Sequence, residues 1–485
     1  SRGLGDVYKR QGRRRRRGRS GSTATRSDPR PEGRVSDLID TIVAQATPAG
    51  RGAIAVVRVS GPEAGRVASG VVPGLSDDPE PRRVHLVTVG DPVTGEPIDR
   101  GLFTWFPGPA SYTGEDLFEF SGHGGGFTVR RVIEACRAVG ARLARPGEFT
   151  RRAYLNGKLD LVQAEAIADL IDGTSPRLHR EALRQLDRHL SRRVSELREG
   201  LVQVEALLAH HIDFPEEDDP PVGVDRIEQA ARGLRSALEA LARTAPEGER
   251  LREGALVVLA GRPNTGKSSL YNALVGEERA LVTEIAGTTR DALEADIAVE
   301  GYPVRLVDTA GLRSTDGVVE RLGIEVARRF LEHADLVLYC NPEGTRLNVE
   351  ERAWIDDLRA PVLRVATMAD AGDVLRESDD GAVSVSVVTG EGLGALKRAV
   401  ADVIFGTLEA TPDDAPVLTR RRQADAVLRA AGEIGAFEVA LREGVPAEYA
   451  GAHLKSAASA LEEVVGLVDT EDVLDRLFAQ FCIGK

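Results

Sequence analysis

The sequence predicts a multidomain α/β protein. An N-terminal α+β domain comes first, then a helical domain, with an α/β domain of mainly parallel sheet inserted into the helical one. Three observations carry this reading. Short apolar stretches broken by Gly and Pro run from Thr41 to about Tyr154, as strands and turns do. An apolar stripe at helical spacing then takes over, and helical patterning returns near the end of the chain. Between those two helical parts, strands alternate with helical stretches, which is the signature of βαβ units.

A chain of 485 residues has room for about three domains, and the expected limits are 35–154, 155–250, 251–410 and 411–485, the second and fourth being halves of one helical domain. Residues 1–34 hold 12 Lys/Arg against 3 Asp/Glu, including the run Arg13 to Arg17; they are expected to be a disordered or non-native leader and are set aside from the fold. The remainder is therefore more acidic than the net charge of −13 on the whole chain. That balance argues against broad electrostatic binding of nucleic acid, because phosphate contacts need clustered cations. Mean hydropathy is −0.19 and no uninterrupted apolar run nears the ~18 residues of a membrane helix, so no span is expected. Cys136, Cys340 and Cys482 are too scattered for a disulfide framework or a cysteine zinc site, which points to a reducing cytoplasm.

In the first domain, residues 53–59, 84–89 and 117–120 read as strands and 128–139 as a helix. Leu183, Leu186, Leu190, Val194, Leu197, Leu201, Val204 and Leu208 then recur three or four apart, so one helical face between about 161 and 211 is expected to be buried. The acidic loop 216–219 and Pro220-Pro221 end that pattern, and another helix is expected near 225–243. Strands follow at 255–260, 304–307, 336–340, 362–366 and 383–387, and helices at 421–441, 447–465 and 471–481.

Gly261-Arg262-Pro263-Asn264-Thr265-Gly266-Lys267-Ser268 fits G-x-x-x-x-G-K-S, after a strand and opening a helix with Ser269. Glycines let backbone N–H groups turn inward around an anion, and the helix N-terminus adds partial positive charge. Lys267 then reaches the outer phosphates and Ser268 offers a hydroxyl to Mg²⁺. Asp308-Thr309-Ala310-Gly311 follows the strand at 304–307; Asp308 suits the metal's water shell and the Gly311 N–H the γ-phosphate. Between them lies Gly287-Thr288-Thr289-Arg290-Asp291, placed as a nucleotide-dependent loop would be, with Thr289 as a second Mg²⁺ ligand. Base choice is less regular. A guanine site has Asn-Lys-x-Asp after a strand, whereas this chain has Thr367-Met368-Ala369-Asp370. Asp370 keeps the carboxylate for the ring N–H and amine, and Met368 can cover the base face. Ser386-Val387 stand where a backbone N–H can reach the guanine oxygen. Losing the one amide bond should cost ~0.5–1.5 kcal/mol, so GTP selectivity with weakened affinity is expected.

With these motifs placed, the chain resembles the MnmE/TrmE family, GTPases that modify the wobble uridine of certain tRNAs. The resemblance runs from about Asp40 to Lys485. It rests on Asp40-Thr41-Ile42-Val43-Ala44-Gln45-Ala46-Thr47-Pro48, Tyr112-Thr113-Gly114-Glu115-Asp116, Arg145-Pro146-Gly147-Glu148-Phe149-Thr150, Lys158-Leu159-Asp160-Leu161 and the terminal Phe481-Cys482-Ile483-Gly484-Lys485. It implies a tetrahydrofolate-binding, dimerising N-terminal domain and an inserted Ras-like P-loop GTPase domain. It implies potassium-stimulated GTP hydrolysis, with K⁺ at Asn264, Thr283, Ile285 and Thr288, and assigns the rest of that loop (Glu284, Ala286, Gly287) to the nucleotide. Glu320 matches the water-orienting carboxylate, while Arg58, Glu119, Lys158 and Lys485 match folate-binding positions, for 5-formyl- or methylenetetrahydrofolate. Lysine is rare here, and three of its six positions (158, 267 and 485) fall on these ligand positions. The resemblance further implies a homodimer and a heterotetramer with an FAD-containing MnmG partner, adding carboxymethylaminomethyl or aminomethyl groups to C5 of the uridine. Cys482 lies near the folate site in the family; beside Lys485 its thiolate would be favoured, and a small buried hydrophobe is the equal alternative. Two other readings stand: a ribosome-assembly GTPase of the Era or Der type, and a nucleotide-binding scaffold that has lost turnover.

Overall fold

The computed structural model describes residues 40–76, 78–213, 223–278, 294–309, 328–370, 381–410, 412, 415–467, 471–479 and 481–484. The leader and the acidic loop 216–219 lie outside them. The fold class is the one expected, an α+β part, a helical part and an α/β part, and each is built from an identifiable pattern.

The first sheet uses β1 (Ile42–Gln45), β2 (Ile54–Ser60), β3 (Val84–Gly90), β4 (Pro97–Phe106), β5 (Leu117–His123) and β6 (Arg142–Leu143). Its order is β3-β4-β5-β2-β1-β6, antiparallel throughout except for the β1–β6 pair. Alternation sets its faces: Ala55, Val57 and Val59 of β2 point inward, Val56 and Arg58 outward. The inward face joins Phe103, Phe118 and Phe120 in a core closed by helices Ala64–Val71 and Gly126–Ala138.

The second sheet is made of β7 (Ala255–Ala260), β8 (Glu294–Val299), β9 (Tyr302–Asp308), β10 (Leu336–Pro342), β11 (Val362–Thr367) and β12 (Val383–Val385). Its order is β12-β11-β10-β7-β9-β8, parallel apart from the β8–β9 hairpin. A parallel sheet is covered on both faces, which is why β7 reads as an unbroken apolar run. Helices His189–Asp213 and Val224–Ala242, before this sheet in sequence, share one core with Arg421–Arg442 and Ala447–Val465, after it. The α/β part is thus an insertion in a helical one.

Three expectations need correction. The stripe from 183 to 208 is not one helix: the chain turns at Asp187–Arg188, with Arg188 in the left-handed region at φ 64, between helices Pro176–Leu186 and His189–Asp213. Leu183 is 44% exposed as a result, and the first helix turns Leu178, Ala182 and Gln185 inward instead. The strand expected at 383–387 ends at Val385, which leaves Ser386 and Val387 in the following turn. The helix expected to reach 481 ends at Phe478, after which Ile483 forms an isolated bridge with Pro146, just past β6.

Candidate functional site

The phosphate loop grows out of the centre of the second sheet. Because β7 runs parallel to both β9 and β10, their carboxyl ends open on one edge, where α/β sheets form their binding crevices. Gly261 leaves β7 at φ 136, and a Cβ there would stand 2.3 Å from the Cys340 carbonyl oxygen, so no other residue fits. The loop passes through Asn264 at φ 61 and Gly266 at φ 80 into helix Lys267–Glu278. Lys267 is buried; its Nζ donates to the carbonyls of Gly261 (3.1 Å) and Arg262 (2.5 Å). Thr265 Oγ1 donates to the Arg262 carbonyl at 2.9 Å. Ser268 Oγ meets Asp308 Oδ2 at 2.6 Å, bringing together two residues 40 apart in sequence. Thr309 Oγ1 ties the end of β9 to the Leu259 carbonyl at 2.7 Å. Gly261, Pro263, Asn264, Gly266 to Ser269, Thr309 and Met368 enclose a cavity of about 560 Å³. Cys340 behind the loop is packing, not chemistry: burial pushes its thiol up to about 12, so it stays neutral.

At the end of β11, Thr367 Oγ1 donates to the buried Thr265 carbonyl at 2.7 Å, and Met368 sits at φ 61 on the cavity wall. Ser386 Oγ donates to Asp370 Oδ1 at 2.7 Å, while the Ser386 amide donates to the Glu391 carbonyl at 2.9 Å. The structure therefore gathers Asn264, Thr265, Gly266, Lys267, Ser268, Ser269, Asp308, Thr309 and Thr367 around one loop, with Asp370 joined to Ser386 beside it. Thr283, Glu284, Ile285, Ala286, Gly287, Thr288, Thr289, Ala310, Gly311 and Glu320 lie outside the described residues.

A second constellation sits on the outward face of the first sheet. Arg58 and Glu119 are cross-strand partners, Nε to Oε1 2.8 Å, and the Arg58 guanidinium lies 5.2 Å from the Tyr112 ring centre and 5.6 Å from that of Phe149. Burial raises the Tyr112 pKa, opposed by a hydrogen bond with Thr150. Lys158 Nζ donates to the Pro109 carbonyl at 3.0 Å, apart from that pair's direct contacts. Cys482 is exposed, and its carbonyl accepts from the Gly147 amide at 3.4 Å. Lys485 lies outside the described residues.

Residues 41–158 match the family model described as GTP-binding protein TrmE N-terminus, and residues 161–482 match the MnmE helical domain. The chain is 44% identical over 451 residues to the tRNA modification GTPase MnmE of Methylorubrum populi, covering 92% of this chain and 98% of that protein. The chain belongs to the MnmE family. A second MnmE, from Neisseria gonorrhoeae, is 41% identical over 462 residues, covering 93% of this chain and all of its own. As an MnmE-family member the chain is a P-loop GTPase of tRNA modification. Among solved structures, Aquifex aeolicus Era bound to GDP and AlF4⁻ is 20% identical over 37% of this chain and 66% of its own, at a TM-score of 0.25, and adds nothing to the assignment. No helix among the described residues is long and apolar enough to cross a membrane.

The MnmE fold also gathers buried charges for which no role was legible in the sequence. Arg152 is almost fully buried and reaches Asp40 (2.7 Å), Glu148 (3.0 Å) and Glu115 (3.2 Å), while Arg142 pairs with Glu148 (2.6 Å) and Asp40. Glu165, equally buried, is forked by Arg422 at 2.6 Å on both oxygens and takes a bond from Gln423. Glu148 is close in sequence to both arginines, but Asp40, Glu115 and the partners of Glu165 are far from theirs, so local spacing did not point to either cluster.

Proposed function

We propose that this chain is a potassium-stimulated GTPase that works as a homodimer. With an FAD-containing MnmG-type partner in a heterotetramer, it adds carboxymethylaminomethyl or aminomethyl groups to C5 of the tRNA wobble uridine, in the cytoplasm, using a one-carbon tetrahydrofolate. The observation that carries the hydrolytic part is the meeting of Lys267, Ser268 and Asp308 at the open edge of the parallel sheet. The domain limits 35–154, 155–250, 251–410 and 411–485 belong to the same proposal.

The residues divide the work. The Lys267 ammonium and the loop amides of 264–269 balance phosphate charge as the γ-phosphoryl group transfers, and Glu320 orients the attacking water. A hydroxyl and a carboxylate in contact, Ser268 and Asp308, are hard oxygen donors of the kind Mg²⁺ takes. Ser268 and Thr289 would ligate it directly and Asp308 through water; when bound, the ion neutralises charge on the outer phosphates. Asn264, which lines the cavity, would hold K⁺ with Thr283, Ile285 and Thr288. Asp370, steadied by Ser386, selects guanine. Because the Ser386 amide is engaged, the Val387 amide is the donor for the guanine oxygen. In the first domain, an arginine–carboxylate pair flanked by two aromatic rings fits the polar edge and flat faces of a pterin, and Lys158 and Lys485 would meet the folate's carboxylates. Cys482 is carried as a member of that site with no step assigned to it.

Hydrolysis of GTP against ATP, in potassium and in sodium, tests the reading. Turnover of GTP alone, faster in potassium and lost in Glu320→Ala, is expected. No turnover of wild-type protein at millimolar GTP would leave the scaffold reading in its place. The Era or Der reading is disfavoured by the TrmE N-terminal match over residues 41–158, and binding of 5-formyltetrahydrofolate by the full chain separates the two.

A further inference from the structure

We propose that Glu351 is a positioning residue for the phosphate loop, acting through Arg262 on the carbonyl that seats the Lys267 ammonium. Glu351 lies outside the cavity, on helix Val349–Asp356, and its two oxygens do different things. Oε2 accepts from the Asn348 amide at 2.8 Å while Asn348 accepts from the Glu351 amide at 2.7 Å, a capping box that fixes the helix start. Oε1 is not needed for that. It accepts from the Tyr339 hydroxyl at 2.8 Å and from Arg262 Nε at 2.6 Å. Tyr339 is on β10, next to the Cys340 whose carbonyl Gly261 must clear. Arg262 is the second residue of the loop, and its carbonyl takes both the Thr265 hydroxyl and Lys267 Nζ. The contacts thus run unbroken from a capped helix, through carboxylate and guanidinium, to the loop backbone and the ammonium. From the opposite side Thr367 holds the Thr265 carbonyl.

The consequence concerns affinity rather than turnover. A loop with Asn264 and Gly266 at positive φ loses conformational freedom when it closes on a triphosphate, and a loop already held there loses less. The bond is made equally before and during reaction, so its loss raises KM and leaves kcat alone. The Glu351 side chain is 12% exposed but that of Arg262 is 53% exposed, so solvent screens the pair and the effect is modest.

This inference rests on the reading that the loop binds GTP, and one set of measurements separates the two. Fluorescent GDP is titrated into wild-type protein, Glu351→Gln, Arg262→Ala and the double variant, with KM and kcat for GTP and the melting temperature of each. Glu351→Gln keeps one acceptor oxygen for Tyr339 and loses the charge, together with the bond that Oε2 takes from the Asn348 amide, which the melting temperature reads. It should raise the GDP Kd and the GTP KM about three- to tenfold, with kcat within about twofold. Arg262→Ala should match it, and the double variant should be no worse than the weaker single, because both remove one link. A Kd unchanged in Glu351→Gln, or single effects that multiply in the double, overturns the proposal. Should Glu351→Gln melt early, Arg262→Ala, at a half-exposed loop residue, decides alone. Wild-type protein that takes up no GDP sinks the GTP reading itself.

Discussion

Thr367 stands where a guanine site carries asparagine, and its hydroxyl turns to the phosphate loop. It donates to the buried Thr265 carbonyl and so ties the end of β11 to the phosphate loop. Thr367→Val keeps the shape and removes the donor, which strands a buried carbonyl; such a loss costs ~1–3 kcal/mol of folding stability. Denaturant melts should show that loss, and fluorescent GDP should bind more weakly because the freed loop must then be ordered on binding. Equal stability and equal binding would mean the bond is idle. Asp370 poses the complementary case. Its carboxylate takes the Ser386 hydroxyl at 2.7 Å, so Ser386→Ala frees it to rotate. The discrimination of GDP over ADP should narrow by about two- to twelvefold, read from competition titrations, if that hydroxyl is what aims the carboxylate.

Two helices carry buried carboxylates whose pH responses have opposite signs. In helix Pro176–Leu186, burial pushes Glu181 up to about 7, only partly offset by bonds from Gln185 and the Val417 amide and by Arg184. Folded protein thus holds that proton more tightly than unfolded chain. The favourable contribution is full below the ordinary value of 4.5 and is lost as pH rises through about 7. Glu181→Gln should accordingly melt higher than wild type at pH 8 and match it at pH 4. In helix Glu148–Leu155, burial raises the Glu148 pKa, but hydrogen bonds from Arg142, the Arg145 amide and Arg152 outweigh it and hold the carboxyl below its usual range. Its contribution is present above about 4.5 and lost as pH falls through that lowered value. Glu148→Gln should destabilise by about 3–5 kcal/mol at pH 7, since it leaves buried arginine charge unmatched, and by much less near pH 3. Denaturant melts at the two pH values check both signs. Neither role was legible from sequence: Glu181 fell on an expected helical stretch and Glu148 within the run Arg145 to Thr150, with no partner indicated for either. What was legible is local: Gly261 to Ser268 with its spacing, Asp308 at a strand end, and the long helices Arg421–Arg442 and Ala447–Val465. The break at Arg188 was hidden because leucines continue their spacing across it, and a left-handed arginine has no sequence signature. β4 was missed because its Gly101 and flanking charges mask the alternation, although that glycine is required: a Cβ there would meet the Ser121 carbonyl oxygen at 2.3 Å.

At the scale of the whole chain, the C-terminal segment closes on the first domain, while the phosphate loop is held by residues of the α/β insertion itself. Helix Glu471–Phe478 packs on helix Glu148–Leu155, with Phe478 and Phe481 in a core with Leu161 and Ala164. Gly147, at φ 66, lets the Phe478 carbonyl approach, since a Cβ would stand 2.6 Å from it. Beyond the bridge between Pro146 and Ile483, Gly484 lies at φ 104 with the Gln45 carbonyl oxygen 2.1 Å from where a Cβ would be. Gly484→Ala therefore meets two obstacles at once, a backbone region closed to L side chains and a β1 carbonyl that cannot move without disturbing the first sheet. The tail must leave. Phe149, whose ring lies against Arg58, is two residues past Gly147, so the displaced tail borders the proposed folate site and takes Lys485 with it. In the full-length variant, 5-formyltetrahydrofolate followed by fluorescence should bind more than about tenfold more weakly. Fluorescent GDP should bind as in wild type, because Glu351 and Thr367 hold the phosphate loop from within the insertion. Folate binding that survives with the tail displaced would remove Lys485 and Cys482 from the site, and loss of GDP binding as well would show that the insertion is not insulated from the chain's ends.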